Sequence, residues 1–125
     1  MTNDSFPNIF QMAYNQTLAN RIRELLQDLE RIEEKEMFGG LCFLLKDKMF
    51  VGVIKEEMMC RIGPALFEDA IEKPGCHEMV FTGKPSKGWV MIEDSGLKTV
   101  NDYKYWIGLA IDYNQHAKSS KKKKK

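Results

Sequence analysis

MFGGLCFLLKDKMFVGVIKEEMMCRIG, residues 37–63, is the stretch that decides the fold. It contains three apolar runs, residues 41–45, 49–54 and 58–62, which are separated by the charged groups KDK and KEE. Short runs rich in Phe, Val, Ile and Met between polar turns predict three antiparallel strands joined by two tight hairpins. Apolar residues occupy both alternating positions of these runs, so both faces of the predicted sheet need cover.

Helices and two further strands are predicted on either side of this stretch. Upstream, apolar residues recur at helical spacing, which predicts one amphipathic helix through Tyr14, Leu18, Ile22, Leu25, Leu26, Leu29 and Ile32. Downstream, the pattern predicts a short helix from Pro64, strands at residues 77–81 and 89–92, a loop at 82–88, and a final helix over 100–111. The predicted fold is therefore two-layer α+β, in the order α-β-β-β-α-β-β-α, with a five-stranded, mainly antiparallel sheet.

The second apolar face of this sheet requires a covering partner. We expect it to be covered by the terminal helix or by a second copy of the chain, which favours a homodimer. Met49, Met58, Met59 and Met79 enrich the sheet in flexible apolar side chains. Such side chains fill irregular cores, and they also suit adaptable contacts with another protein.

The composition of the chain and its first residues predict a cytoplasmic protein. Its 125 residues and 43% hydrophobic content suit one domain with one core. The first residues do not resemble a secretory signal, and no apolar run is long enough to span a bilayer, so no membrane association is expected. Three cysteines at wide spacing suit neither a disulfide framework nor a zinc site with paired ligands. The sequence therefore predicts no cofactor and no metal.

Charge divides the chain into a body and a tail. Residues 1–117 form the predicted single domain, in which 13 basic residues face 18 acidic ones, for a net charge of −5. Residues 118–125 form a predicted disordered tail of charge +6, carried by Lys118, Lys121, Lys122, Lys123, Lys124 and Lys125. This tail is a candidate for weak, nonspecific contact with nucleic acid.

Six short motifs give the chain a resemblance to a known family. In order, they are residues 37–40 (MFGG), 48–53 (KMFVGV), 61–64 (RIGP), 74–75 (PG), 79–83 (MVFTG) and 85–90 (PSKGWV). Their order and spacing resemble the amino-terminal domain of the TfoX (Sxy) competence regulators, over roughly residues 18–113. The resemblance implies a two-layer α+β fold related to that of secretion chaperones.

The same resemblance implies a regulatory function without catalysis. Full-length regulators of this family act with a DNA-bound transcription activator to switch on DNA-uptake genes, and they carry a second, carboxy-terminal domain. Here we expect a stand-alone amino-terminal domain. The expected function is that of a non-enzymatic regulatory or adaptor module, which acts by protein contact in transcription or competence regulation.

Four residues are candidates for binding an anion or a partner: Arg61, Lys84, Lys87 and Trp89. Arg61 lies within an apolar strand, where a guanidinium either pairs with an acceptor or receives an anion. The loop with Lys84 and Lys87 could hold a phosphate while Trp89 stacks, although solvated hairpins also collect Gly, Pro and Lys. The alternative function is therefore a small-ligand or anion-binding domain.

Catalysis is the third hypothesis, an uncharacterised enzyme, and the residues support it least. Cys76 and His77 are the one adjacent pair that could provide a nucleophile and a base. Adjacent strand residues point to opposite faces, so we assign no catalytic residue. Gly39 and Gly40 have a backbone role, because two glycines let the chain turn between the first helix and the sheet.

Overall fold

The computed structural model describes residues 14–37, 39–81 and 83–117, without the side chains of residues 81, 84 and 85. The helices are α1 (Gln16–Leu26), α2 (Pro64–Ala70) and α3 (Val100–Asn114), and a 3₁₀ turn covers Asp94–Gly96. The strands are β1 (Ile32–Met37), β2 (Gly40–Leu45), β3 (Lys48–Ile54), β4 (Glu57–Arg61), β5 (Cys76–Phe81) and β6 (Lys84–Ile92).

The strands form one sheet in the order β1-β2-β3-β4-β6-β5. Every pairing between these strands is antiparallel. The predicted α+β class and the three central strands are thus confirmed, with boundaries within one residue of those expected. β6 returns beside β4 after the α2 connection, and β5 takes the edge.

The predicted strand count was wrong, because the sheet has six strands and not five. Helix α1 ends at Leu26, and Ile32 begins the edge strand β1 rather than another helical turn. Arg31, with a φ of +64°, marks the change of direction. The sequence IEEKEM of β1 gave no strand signal because charged side chains are common on exposed edges, where pairing with β2 fixes the conformation.

Two hairpin turns, Lys46–Asp47 between β2 and β3 and Lys55–Glu56 between β3 and β4, form without the glycine that such turns usually contain. Leu45 pairs with Lys48, and the two residues between them, Lys46 and Asp47, both have positive φ values of 54° and 71°. Positive φ at both central residues is the signature of a type I′ turn, whose twist matches the flanking strands. The side chains tolerate this backbone at some cost, which explains why the turn was hard to predict in detail.

The buried apolar side chains of all three helices belong to one core on one face of the sheet. This core contains Leu18, Ile22 and Leu26 of α1, Phe67 and Ala70 of α2, and Tyr103, Trp106, Ile107 and Ala110 of α3. A capping box between Thr99 and Asp102 fixes the start of α3. Of the two covers predicted for the second face, the terminal helix lies on the other face, and a second copy of the chain stays a prediction.

The predicted loop at 82–88 was also mostly wrong. Residues from Lys84 onward belong to β6, and Phe81 pairs with Lys84. The strand is irregular opposite Met79, where the register shifts between Glu78 and Val80.

Within the part of the chain described, no helix has the length and apolar character needed to cross a membrane.

Candidate functional site: the methionine face

One row of residues crosses the sheet on the face opposite the helix core. Backbone pairing aligns Lys35, Cys42, Gly52, Met59, Met91 and His77 on six neighbouring strands. Directly opposed residues in neighbouring strands point to the same face. The centre of the row is apolar and each end is polar, with Lys35 on one edge strand and His77 on the other.

A second apolar cluster is built around this row. Its buried members are Cys42, Met59, Met79 and Met91, and its partly buried members are Met37, Met49, Ile54 and Trp89. We call these eight residues the methionine face. All eight come from strands, whereas the buried helix side chains belong to the other core. Gly52 leaves room for the thioether methyl of Met59, because a Cβ there would collide with it.

The accessible part of the methionine face is its rim. Cys42 and Met59 are at most 1% exposed, while Met37, Met49, Ile54 and Trp89 are only partly buried. Val80 on the edge strand lies beside this rim and is 54% exposed. A flexible apolar rim around a tightly packed centre suits contact with a second surface.

Arg61 lies at one end of this face against two aromatic rings. Its guanidinium carbon is 5.4 Å from the centre of the Trp89 ring and 5.8 Å from that of Tyr113. Both separations are within the range of cation–π attraction. The structure therefore brings together two of the four predicted binding residues, Arg61 and Trp89, and adds Tyr113 of α3, which the sequence did not indicate.

Lys87, the third predicted binding residue, lies near an acidic side chain of α2. Lys87 Nζ is 4.0 Å from a carboxylate oxygen of Glu68 on α2, and both side chains are largely exposed. The side chain of Lys84 lies outside what the structure describes. The same holds for the lysine tail, residues 118–125, so its predicted disorder and its contact with nucleic acid stay predictions.

A group of three ionisable residues adjoins the methionine face at the edge formed by β4, β6 and β5. His77 Nε2 is 2.6 Å from Oε1 of Glu57 and 4.0 Å from Oε2 of Glu93. Its other nitrogen, Nδ1, is 3.0 Å from the backbone oxygen of Glu78. Partial burial acts to lower the pKa of His77, but the hydrogen bond and charge of Glu57 outweigh it, so the pKa is raised.

A groove of about 390 Å³ opens beside this trio. It is lined by Ile54, Lys55, Glu57, His77, Glu78, Met79, Val80 and Met91. The groove thus joins the trio to the rim of the methionine face. A second groove, of about 510 Å³, lies between the start of α1 and α3 and is lined by Asn15, Thr17, Leu18, Arg21, Glu56, Asp94, Leu97 and Tyr103.

The three cysteines are free and buried. Burial raises the pKa of Cys42 and of Cys76 to about 11, and it also raises the pKa of Cys60. Cys76 belongs to the helix core, whereas its neighbour His77 is on the opposite face. The two therefore do not form a nucleophile and base.

Gly39 lies in the turn between two strands and Gly40 begins the second of them, and neither lies between a helix and the sheet as predicted. Met37 pairs with Gly40, so the turn joins β1 to β2. Gly39 has a φ of +76°, which glycine adopts at low cost. Gly40 is a strand residue, and a Cβ there would lie 2.9 Å from the side chain of Ile54.

Comparison with known proteins agrees with the motifs and the fold. A family model described as the TfoX N-terminal domain matches residues 24–113. The chain belongs to this family. The residues that match the TfoX N-terminal domain include the whole sheet and the whole methionine face. No curated protein matches the chain.

A solved structure shares the fold of this TfoX N-terminal domain. It is a crystal structure of a protein from Pseudomonas syringae, determined as a structural genomics target. The two have 12% sequence identity and a TM-score of 0.57, over 77% of this chain and 95% of the other. At this identity the likeness shows the fold alone.

Proposed function

We propose that this TfoX N-terminal domain is a non-enzymatic regulatory or adaptor module that acts by protein contact through the methionine face. The observation that carries the proposal is the placement of all buried apolar helix side chains in the other core. The face opposite the helices keeps an adaptable apolar rim, formed by Met37, Met49, Ile54 and Trp89. Membership of the TfoX family supports a regulatory setting.

The chemistry of the cysteines also supports binding over catalysis. A thiol acts as a nucleophile in its thiolate form, and burial raises the pKa of all three thiols. Cys76 and His77 lie on opposite faces of β5, so a proton cannot pass directly between them. The first partner to test is a second copy of the chain, because the surface opposite the helices would then become the centre of a two-layered dimer.

The experiment compares two valines of similar exposure on opposite layers of the fold. Val80, 54% exposed, adjoins the methionine face, and Val100, 59% exposed, lies at the start of α3. Sedimentation velocity over micromolar concentrations should show self-association of the wild type that V80D weakens at least tenfold, by burying a charge, while V100D keeps it. A pull-down from the native cell with the same three proteins tests for a different partner.

Two results would contradict the proposal. One is a wild-type monomer whose captured partners bind V80D as well as they bind the wild type. The other is loss of association in V100D alone, which would move the contact surface to the helix layer. Circular dichroism and thermal denaturation of both variants confirm that each retains the fold.

A further inference from the structure

Glu57 and His77 lie in the strands on either side of β6, and Glu93 directly follows β6. Met58 and Cys76 both pair with Ile92, which places Glu57, His77 and Glu93 around the same end of β6. The backbone N–H of Glu93 donates to the carbonyl of Gly75 at 2.7 Å, which fixes the start of the segment after β6. The side-chain donor atoms of the trio all lie within 4.8 Å of one another.

The contacts of the His77 ring place one nitrogen against a backbone oxygen and the other against two carboxylates. Nδ1 faces the backbone oxygen of Glu78 at 3.0 Å, and Nε2 faces Oε1 of Glu57 at 2.6 Å. A neutral imidazole has one N–H and one lone pair, so it can donate to only one of these two acceptors. When Nδ1–H donates to Glu78, Nε2 either carries a second proton, which it donates to Glu57, or directs its lone pair at a cation that the two carboxylates also bind.

We propose that Glu57, His77 and Glu93 bind a divalent first-row transition ion, with Nε2 and one oxygen from each carboxylate as ligands. A hydrogen bond from the second ring nitrogen to a backbone carbonyl is the usual way in which proteins orient a histidine ligand. Bond lengths near 2.1 Å in a tetrahedral site place donor atoms about 3.4 Å apart. The observed separations from Nε2, 2.6 and 4.0 Å, lie on either side of that value, within reach of small side-chain rotations.

The types of ligand atom and the neighbouring groove indicate which metal ions the site would bind. One imidazole and two carboxylates without a thiolate suit Zn²⁺, Co²⁺, Mn²⁺ or Fe²⁺ rather than a soft ion such as Cu⁺. Three protein ligands leave a coordination position open, and the groove of about 390 Å³ beside the trio gives it access to solvent. Lys55 lines the same groove, so its charge favours an anionic fourth ligand over a second cation.

Zn²⁺ and Co²⁺ are the probes for the test, which uses the full chain. Calorimetry with Zn²⁺ should show one ion per chain, and H77A, E57Q and E93Q should each weaken binding at least tenfold. H116A is the matched control, because His116 is the second of two histidines in the sequence and lies beyond α3. The Co²⁺ complex should lack the intense charge-transfer band of thiolate ligation, since the cysteines are not ligands in this site.

A structural readout separates this site from adventitious binding. With two histidines in the chain, imidazole NMR signals distinguish His77 from His116, and saturating Zn²⁺ should shift His77 while it keeps the proton on Nδ1. Zinc affinity that H77A leaves unchanged, or a thiolate band with Co²⁺, would overturn the proposal. So would a His77 signal unmoved by millimolar Zn²⁺, because a proton shared with Glu57 would then be the cation in this cluster.

Discussion

Gly63 and Gly88 pack backbone against backbone where β4 leads into α2. The carbonyl of Gly88 accepts hydrogen bonds from the N–H groups of Ile62 and Gly63, at 2.7 and 3.1 Å. A Cβ on Gly88 would lie 3.2 Å from the carbonyl carbon of Gly63. These glycines belong to the RIGP and PSKGWV motifs, so two separate parts of the family resemblance meet at one close contact.

Replacement of Gly63 by alanine should destabilise the fold by about 1–3 kcal/mol. Gly63 has φ 93° and ψ 153°, a region open to glycine and strained for other residues. A Cβ there would also lie 2.6 Å from Cε1 of Tyr113, so the ring would have to move away from Arg61. Urea denaturation gives the free energy of unfolding for G63A and the wild type.

Gly108 provides the matched control for this substitution. It lies inside α3, and a Cβ there meets no atom within 4 Å in the described structure. G108A should therefore raise the free energy of unfolding by about 0.5–1 kcal/mol, since alanine is the better helix former. Equal effects of G63A and G108A would show that position 63 accepts a side chain without strain.

Most of the fold could be predicted from the sequence, because the spacing of apolar residues reflects which side chains are buried. The run at residues 41–62 predicted β2, β3 and β4, and the spacing of Tyr103, Ile107 and Ala110 predicted α3. Strand β1 was not predicted, because its side chains are mostly charged and its conformation comes from pairing with β2. Such an edge strand has no strong local signal of its own.

The candidate site was less predictable because it depends on strand order. Glu57, His77 and Glu93 are distant in the sequence and meet only because β6 lies between β4 and β5. The separation of Cys76 from His77 could be predicted from strand alternation, whereas the face on which each residue lies came only from the structure. The stacking of Tyr113 on Arg61 depends on where α3 ends, which periodicity alone does not specify.

The ion pair between Arg23 and Glu34 should make stability depend on pH in the acidic range. Arg23 Nε is 2.8 Å from Oε2 of Glu34, and its hydrogen bond and charge lower the pKa of Glu34 from the ordinary value of 4.5. A lowered folded-state pKa adds stability above pH 4.5 that is lost as pH falls through the folded-state value. Both side chains are over a third exposed, so the contribution is about 0.2–1 kcal/mol.

The measurement compares E34Q with the wild type by urea denaturation from pH 7 to pH 3. The difference in free energy of unfolding should be largest at neutral pH and shrink towards pH 3. E33Q is the control, because Glu33 is the next residue on β1 and points to the other face. A difference between E34Q and the wild type that stays constant over this range would contradict the assignment.

The cysteines should be unreactive in the folded protein. A rise of the pKa of Cys42 and Cys76 from 9.0 to about 11 lowers the thiolate fraction at pH 8 by roughly 100-fold, before burial of the sulfur is counted. Ellman's reagent should therefore label few thiols in buffer and all three in denaturant. If Cys76 in the native protein reacted as fast as an unburied thiol, the hypothesis that it is a nucleophile would be supported again.

Any affinity for nucleic acid should reside in the lysine tail and not in the folded body. The body has a net charge of −5, whereas residues 118–125 contain six lysines. If all six neutralise phosphates on a duplex, log affinity should fall against log salt with a slope of about −5, near 0.9 per contact. Fluorescence anisotropy with a labelled duplex at several salt concentrations measures this slope.

Deletion of residues 118–125 should abolish binding, and replacement of the six lysines by glutamine should do the same at unchanged length. The melting temperature should stay nearly constant in both variants. Retained, sequence-selective binding by the truncated chain would instead direct attention to Arg61, Lys87 and Trp89 as a recognition surface.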